Sequence, residues 1–206
     1  MQVTKASFTD QAMSTNNTFT AASEFPTQAP LTAPAGSVVI NEIMWMGSNF
    51  EASPSTDEWI ELKNMTDNTY NLTNWTLIGA GNVDIKILSG TLPPNGYFLI
   101  SKRASNSSVL NITPDYVSPN VQLDNSNLKI FLANSANDIV DVADDGVGLP
   151  LKGTNESNQA KRSMERKDPP GNGMNPIFWH SSNGQTNLDS GAVDFATPKA
   201  SNSAGL

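Results

Sequence analysis

The stretch Glu58-Trp-Ile-Glu-Leu-Lys63 sorts its side chains by alternation. Ile60 and Leu62 point one way, and Trp59, Glu61 and Lys63 point the other. A period of two is a strand period, and the run is too short for a stable helix. Upstream, Val38, Val39, Ile40, Ile43, Met44 and Trp45 form a second β-rich run bounded by Gly36 and Gly47. Downstream, residues 72–78 and 83–88 read as strands, and Leu92-Pro-Pro-Asn-Gly96 is a turn that launches Tyr97-Phe-Leu-Ile-Ser101. Residues 128–132 and 139–143 flank a hairpin-like connection, and later strands are predicted at 163–166 and 177–179. No segment reads as a helix. The chain is therefore all-β, an antiparallel sandwich or barrel, with Ile60, Leu62, Leu77, Leu99, Ile130 and Leu132 predicted in its core.

Composition supports this reading and narrows function. Asn, Ser and Thr make up 63 of the 206 residues, against 16% charged residues, which favours turns and short strands over long helices. No window approaches 18 consecutive apolar residues, so nothing in the sequence reads as a transmembrane span. A net charge of −8 argues against nucleic acid as a partner, because a phosphate-backbone binder is ordinarily basic. With no Cys and one His, the chain has no thiol nucleophile and no Cys- or multi-His-ligated metal site. No catalytic residues and no cofactor are assigned.

The order of motifs resembles a known family. Val39-Ile-Asn-Glu-Ile-Met44, Asp57-Glu-Trp-Ile-Glu-Leu-Lys-Asn64 and Leu72-Thr-Asn-Trp-Thr-Leu77 are similar to the opening strands of lamin tail domains. Leu92-Pro-Pro-Asn-Gly-Tyr-Phe-Leu-Ile100, the hairpin over 128–141 and Arg162-Ser-Met-Glu-Arg166 resemble the family's later elements. The resemblance implies an immunoglobulin-like β-sandwich over residues 37–168. Residues 1–36 read as a linker, Pro/Ala/Thr-rich near its end. Within it, Phe8, Asp10, Ser14, Asn17, Phe19 and Ala21 resemble the segment after the signal peptide of camelysin-like secreted bacterial proteins. That implies a processed, extracellular or cell-surface protein. Residues 169–206 form a turn-rich extension expected to dock on the sandwich through Trp179. Bacterial lamin-tail proteins often end in a small-Thr-Pro-Gly-x-x-Asn-Ser pattern. Here Ala196-Thr-Pro-Lys-Ala-Ser-Asn-Ser203 has Lys199 at the Gly position, which puts a left-handed turn there in question.

Candidate chemistry is sparse. Glu42 and Glu61 could form an acid/base pair if adjacent, although both are better read as satisfied structural residues. Asp138, Asp141, Asp144 and Asp145 are calcium candidates by ligand type, but they lack a calcium-loop spacing. Lys161, Arg162, Arg166 and Lys167, with Lys152, hold five of the twelve basic residues and could bind an acidic partner. Interleaved acids favour a solvated face instead. His180 reads as structural, and Trp45, Trp59, Trp75 and Trp179 as packing residues or, if exposed in a line, a sugar platform. The expected function is noncatalytic attachment to a protein or cell-envelope partner. The alternative is an accessory polymer-binding module, for carbohydrate or nucleic acid, beside a hydrolase.

Overall fold

The computed structural model describes residues 33–49, 56–155 and 159–206. The camelysin-like segment and most of the proposed linker lie outside those residues. Twelve strands follow in chain order: β1 (Val38–Met44), β2 (Trp59–Asn64), β3 (Tyr70–Asn71), β4 (Thr76–Ile78), β5 (Ile85–Lys86), β6 (Thr91–Leu92), β7 (Tyr97–Ser101), β8 (Tyr116–Val117), β9 (Ile130–Ala133), β10 (Ile139–Ala143), β11 (Met164–Arg166) and β12 (Trp179–Ser181). One sheet has the order β12-β11-β1-β2-β7-β8 and a second β10-β9-β4-β5, with β3 and β6 as a small pair. All pairings are antiparallel except β7 with β8. The all-β antiparallel sandwich expected from alternation is the observed fold, in the immunoglobulin-like form that the lamin-tail resemblance implies.

Register fixes which side chains meet between the sheets. Ile40 stands opposite Leu62 and then Phe98, and Ile43 opposite Ile60 and then Ile100, so these six share one face with Met164. On the second sheet Leu77 stands opposite Ile85 and Leu132, with Ile130 two residues along. All of these side chains are buried. Leu99 is buried as predicted, but it stands opposite Glu61 and so belongs to the other face of its sheet. The shift between Ile40 and Glu42 leaves Asn41 as an extra residue, a bulge that turns both Ile40 and Ile43 inward although they are three apart. A second shift, between Ile139 and Asp141, sets Asp141 opposite Leu132 and thus toward the interior.

The hairpin between β9 and β10 lacks the usual Asp-Gly turn. Asn137 takes the left-handed conformation instead (φ 67°), and Asn134 Oδ1 accepts from the N–H groups of Ala136 and Asp138. The stretch expected as one strand over 72–78 is divided. Tyr70–Asn71 pairs with Thr91–Leu92, and Thr76–Ile78 joins the four-stranded sheet, with Asn74 (φ 68°) turning the chain between them. After Asp168 the chain returns to the six-stranded sheet. A short 3-10 turn at Pro176–Phe178 leads into β12, which pairs with β11.

Candidate functional site: a row of buried glutamates

Four neighbouring strands place their polar residues in a single line across the outer face of the six-stranded sheet. Glu165 stands opposite His180 on one side and Glu42 on the other, and Glu42 stands opposite Glu61. The line therefore reads His180, Glu165, Glu42, Glu61 and then Leu99. Directly opposed side chains on adjacent strands have Cβ atoms about 4.5–5.5 Å apart, close enough for the three carboxyl groups to feel one another. All three glutamates have no exposed surface.

The returning chain covers them. Thr197 donates its N–H to Glu42 Oε1 (2.9 Å) and its hydroxyl to Glu165 Oε1 (2.7 Å). Ser203 donates both N–H (3.0 Å) and hydroxyl (2.5 Å) to Glu165 Oε2. The Lys199 N–H donates to Glu61 Oε2, while Asn41 Nδ2 holds Glu61 Oε1 (2.9 Å). Lys199 reaches this position in the left-handed conformation (φ 57°), so the turn forms without the family's glycine. Asn202 completes the strap, donating to the Arg166 carbonyl (2.6 Å) and to Asn41 Oδ1 (3.1 Å).

Protonation differs along the line. Burial pushes Glu42 well above the usual carboxylate range, and the neighbouring charges of Glu61 and Glu165 add to the shift. Burial also lifts Glu61, to about 8, against the opposing pull of the Lys199 N–H and Asn41. Burial acts the same way on Glu165, but hydrogen bonds from His180, Ser203 and Thr197 outweigh it and hold that group below its ordinary value. His180 Nε2 lies 2.9 Å from Glu165 Oε2. Burial thus favours the protonated form of Glu42 and Glu61, while its hydrogen bonds favour the ionised form of Glu165. Glu42 and Glu61 are adjacent, as an acid/base pair requires. They are sealed beneath the strap, and a substrate must reach a general acid to receive its proton.

The other candidates are dispersed. Asp141 forms a buried inter-sheet ion pair with Arg166 (Nη2 to Oδ1, 3.1 Å) and accepts the Ile40 N–H (2.8 Å). Asp144 accepts from the N–H groups of Asp145, Gly146 and Leu151; Asp138 accepts from Asn134, and Asp145 from Val147. Among the described residues no three acidic or His side chains group so as to hold a metal.

The basic cluster is not a solvated face. Arg166 is 1% exposed, stacks over Trp179 (4.7 Å) and donates to the Pro170 and Gly171 carbonyls. Lys161 is buried, with Nζ on the Met46 and Ser48 carbonyls (3.1 and 2.9 Å). Arg162 lies on the Phe195 ring (3.9 Å) and donates to the Ser182 carbonyl, leaving Lys167 exposed. On β11 Arg166 shares the inward face of Met164, which takes it away from solvent. Trp45, Trp59, Trp75 and Trp179 are all at most 5% exposed, so they are packing residues and not a platform.

Reading the sequence left out Glu165 as a partner of Glu42, and left out the strap as what covers both. Both segments carry recognisable motifs, but nothing local signals that residues 197–203 lie over residues 42, 61 and 165. No helix among the described residues is long and apolar enough to cross a membrane. No curated protein matches the chain closely enough to count as a relative. Residues 32–146, more than half of the 206, match the family described as Lamin Tail Domain. With that match over strands in the expected order, the chain belongs to the lamin tail domain family, whose members are noncatalytic immunoglobulin-like modules.

Proposed function

We propose that the protein is a secreted or cell-surface attachment module that binds a protein or cell-envelope partner and has no catalytic turnover. One observation carries this reading: the groups that could perform chemistry or hold a polymer are consumed inside the fold. The glutamate row is bonded to the strap, Arg166 to Asp141, Lys161 to backbone carbonyls, and the tryptophans are packed. Large apolar side chains instead stand out at loop tips, with Val147 73% and Leu149 78% exposed in one short loop. Loops at the end of a sandwich are where such modules engage partners. The secreted location rests on the camelysin-like pattern of residues 8–21.

The polymer-binding alternative has no supporting observation here, since it needs exposed aromatics in a line or a continuous basic face. The test has two arms. Purified chain and a Val147→Ser/Leu149→Ser variant are used to capture cell-envelope protein, and the wild type is run against glycosidase, esterase and nuclease substrates. Selective retention of a partner that the loop variant loses, with no turnover, is expected. Turnover abolished by Glu42→Gln or Glu61→Gln with the fold intact, or retention unchanged by the loop variant, contradicts the reading.

A further inference from the structure

Three carboxyl groups, on three adjacent strands and with no exposed surface, share one row beneath a single segment of chain. That segment meets each of them with its own donors: the N–H of Thr197 on Glu42, the N–H of Lys199 on Glu61, and the hydroxyls of Thr197 and Ser203 on Glu165. We propose that residues 197–203 are a proton-dependent latch, seated while Glu42 and Glu61 carry protons and lifting from the sheet as those groups ionise.

The groups facing the row set the direction. Glu42 faces Glu61 on β2 and Glu165 on β11, and its Oε2 has no hydrogen-bond partner among the described residues. Glu61 faces Glu42, the Lys199 N–H and, farther off, Asp115. The Lys199 ammonium pairs with Asp115 (Nζ to Oδ1, 2.8 Å), and its charge only partly offsets the burial of Glu61. Lys63, next along the same face of β2, pairs with Asp168 (3.2 Å). His180 on β12 serves Glu165 at the far end. Ionising both Glu42 and Glu61 therefore adds two negative charges beside Glu165 in a buried row, where the Lys199 ammonium, already shared with Asp115, offsets burial only in part.

Lifting the strap admits water to the row, which solvates those charges where the hydrogen bonds of the closed row offset burial only in part. Protons leave to solvent, so rising pH opens the latch and falling pH closes it. Burial lifts both groups above the ordinary carboxylate range, Glu61 to about 8, which places the opening between mildly acidic and mildly alkaline pH. Over that range each group weakens seating by up to about tenfold per pH unit.

Amide hydrogen exchange of the full chain, expressed as protection relative to the unfolded rate at each pH, reads this directly. Peptides spanning 194–206 are expected to lose at least about tenfold protection between pH 6 and 8, while peptides spanning 130–143 keep theirs. In the Glu42→Gln/Glu61→Gln variant the strap should keep its protection across the range. Strap protection that is constant with pH in the wild type, a loss shared equally by 130–143, or a loss equally steep in the variant would each overturn the proposal. Should the double variant not fold, carbon-13 carboxyl titration of the wild type decides. Glu42 and Glu61 ionising well above the ordinary carboxylate range supports the latch, and ionisation within that range overturns it.

Discussion

The two faces of the six-stranded sheet are both buried, by opposite means. The inner face is closed by apolar side chains from two sheets, among which a buried ion pair, Arg166 with Asp141, has its remaining donors met by carbonyls. The outer face is closed by a strap that buries three carboxyl groups and supplies their hydrogen bonds largely from backbone and hydroxyls. Burial drives the first arrangement and opposes the second, which is held by hydrogen bonds and by a proton affinity that burial raises at Glu42 and Glu61. Stability on the inner face should therefore respond to volume and charge pairing, and on the outer face to pH.

Breaking the inner face has the largest expected consequences. Arg166→Met strands the buried Asp141 charge and should cost about 3–5 kcal/mol in urea denaturation. Burial pushes Asp141 up and Arg166 down while their attraction opposes both shifts, but arginine starts so high that it remains charged. Ile60→Ala opens a cavity between the sheets and should cost about 2–4 kcal/mol by the same measurement. Glu165→Gln weakens acceptance of the Ser203 and Thr197 donors and should cost about 1–3 kcal/mol. That loss belongs to a group whose folded value is depressed, so its contribution is present above the ordinary carboxylate range and disappears as pH falls through the folded value. Lys199→Gly relieves a left-handed backbone and loses an exposed ion pair with Asp115. A net gain of at most about 1 kcal/mol is expected, with a loss showing that the Lys199 side chain matters more than its backbone.

What could be read in the sequence was what repeats locally. The alternation in Glu58-Trp-Ile-Glu-Leu-Lys63 specified a strand, and the motif order specified the family. Alternation could not show that both faces are covered, so it gave Trp59 and Glu61 a direction, and Glu61 a possible neighbour in Glu42, but not the segment that covers them. The bulge at Asn41 was invisible because it appears only when Ile40 and Glu42 are set against Leu62 and Glu61. The Lys199 turn illustrates the same limit. A residue at φ 57° carries strain that only the hydrogen bond to Glu61, 138 positions away, explains. The basic cluster failed as a surface patch because strand geometry sent Arg166 inward, where it met Asp141, itself turned inward by a second bulge.

The contrast between the faces is tested most directly by urea denaturation of the wild type and of Glu42→Gln/Glu61→Gln at about pH 5.5 and about pH 8.5. Glu61 is raised to about 8 in the folded chain, so its stabilising contribution is full below the unfolded value near 4.5 and is lost as pH rises through 8. Glu42 is raised in the same sense, and Glu58, lifted by burial to about 7, adds a pH dependence that the variant retains. The wild-type midpoint should fall between the two pH values, and the variant's should fall less, leaving the variant the more stable at the higher pH. A wild type that remains the more stable at about pH 8.5 would mean that the two carboxylates stabilise the fold as ions, contradicting a row held together by its protons.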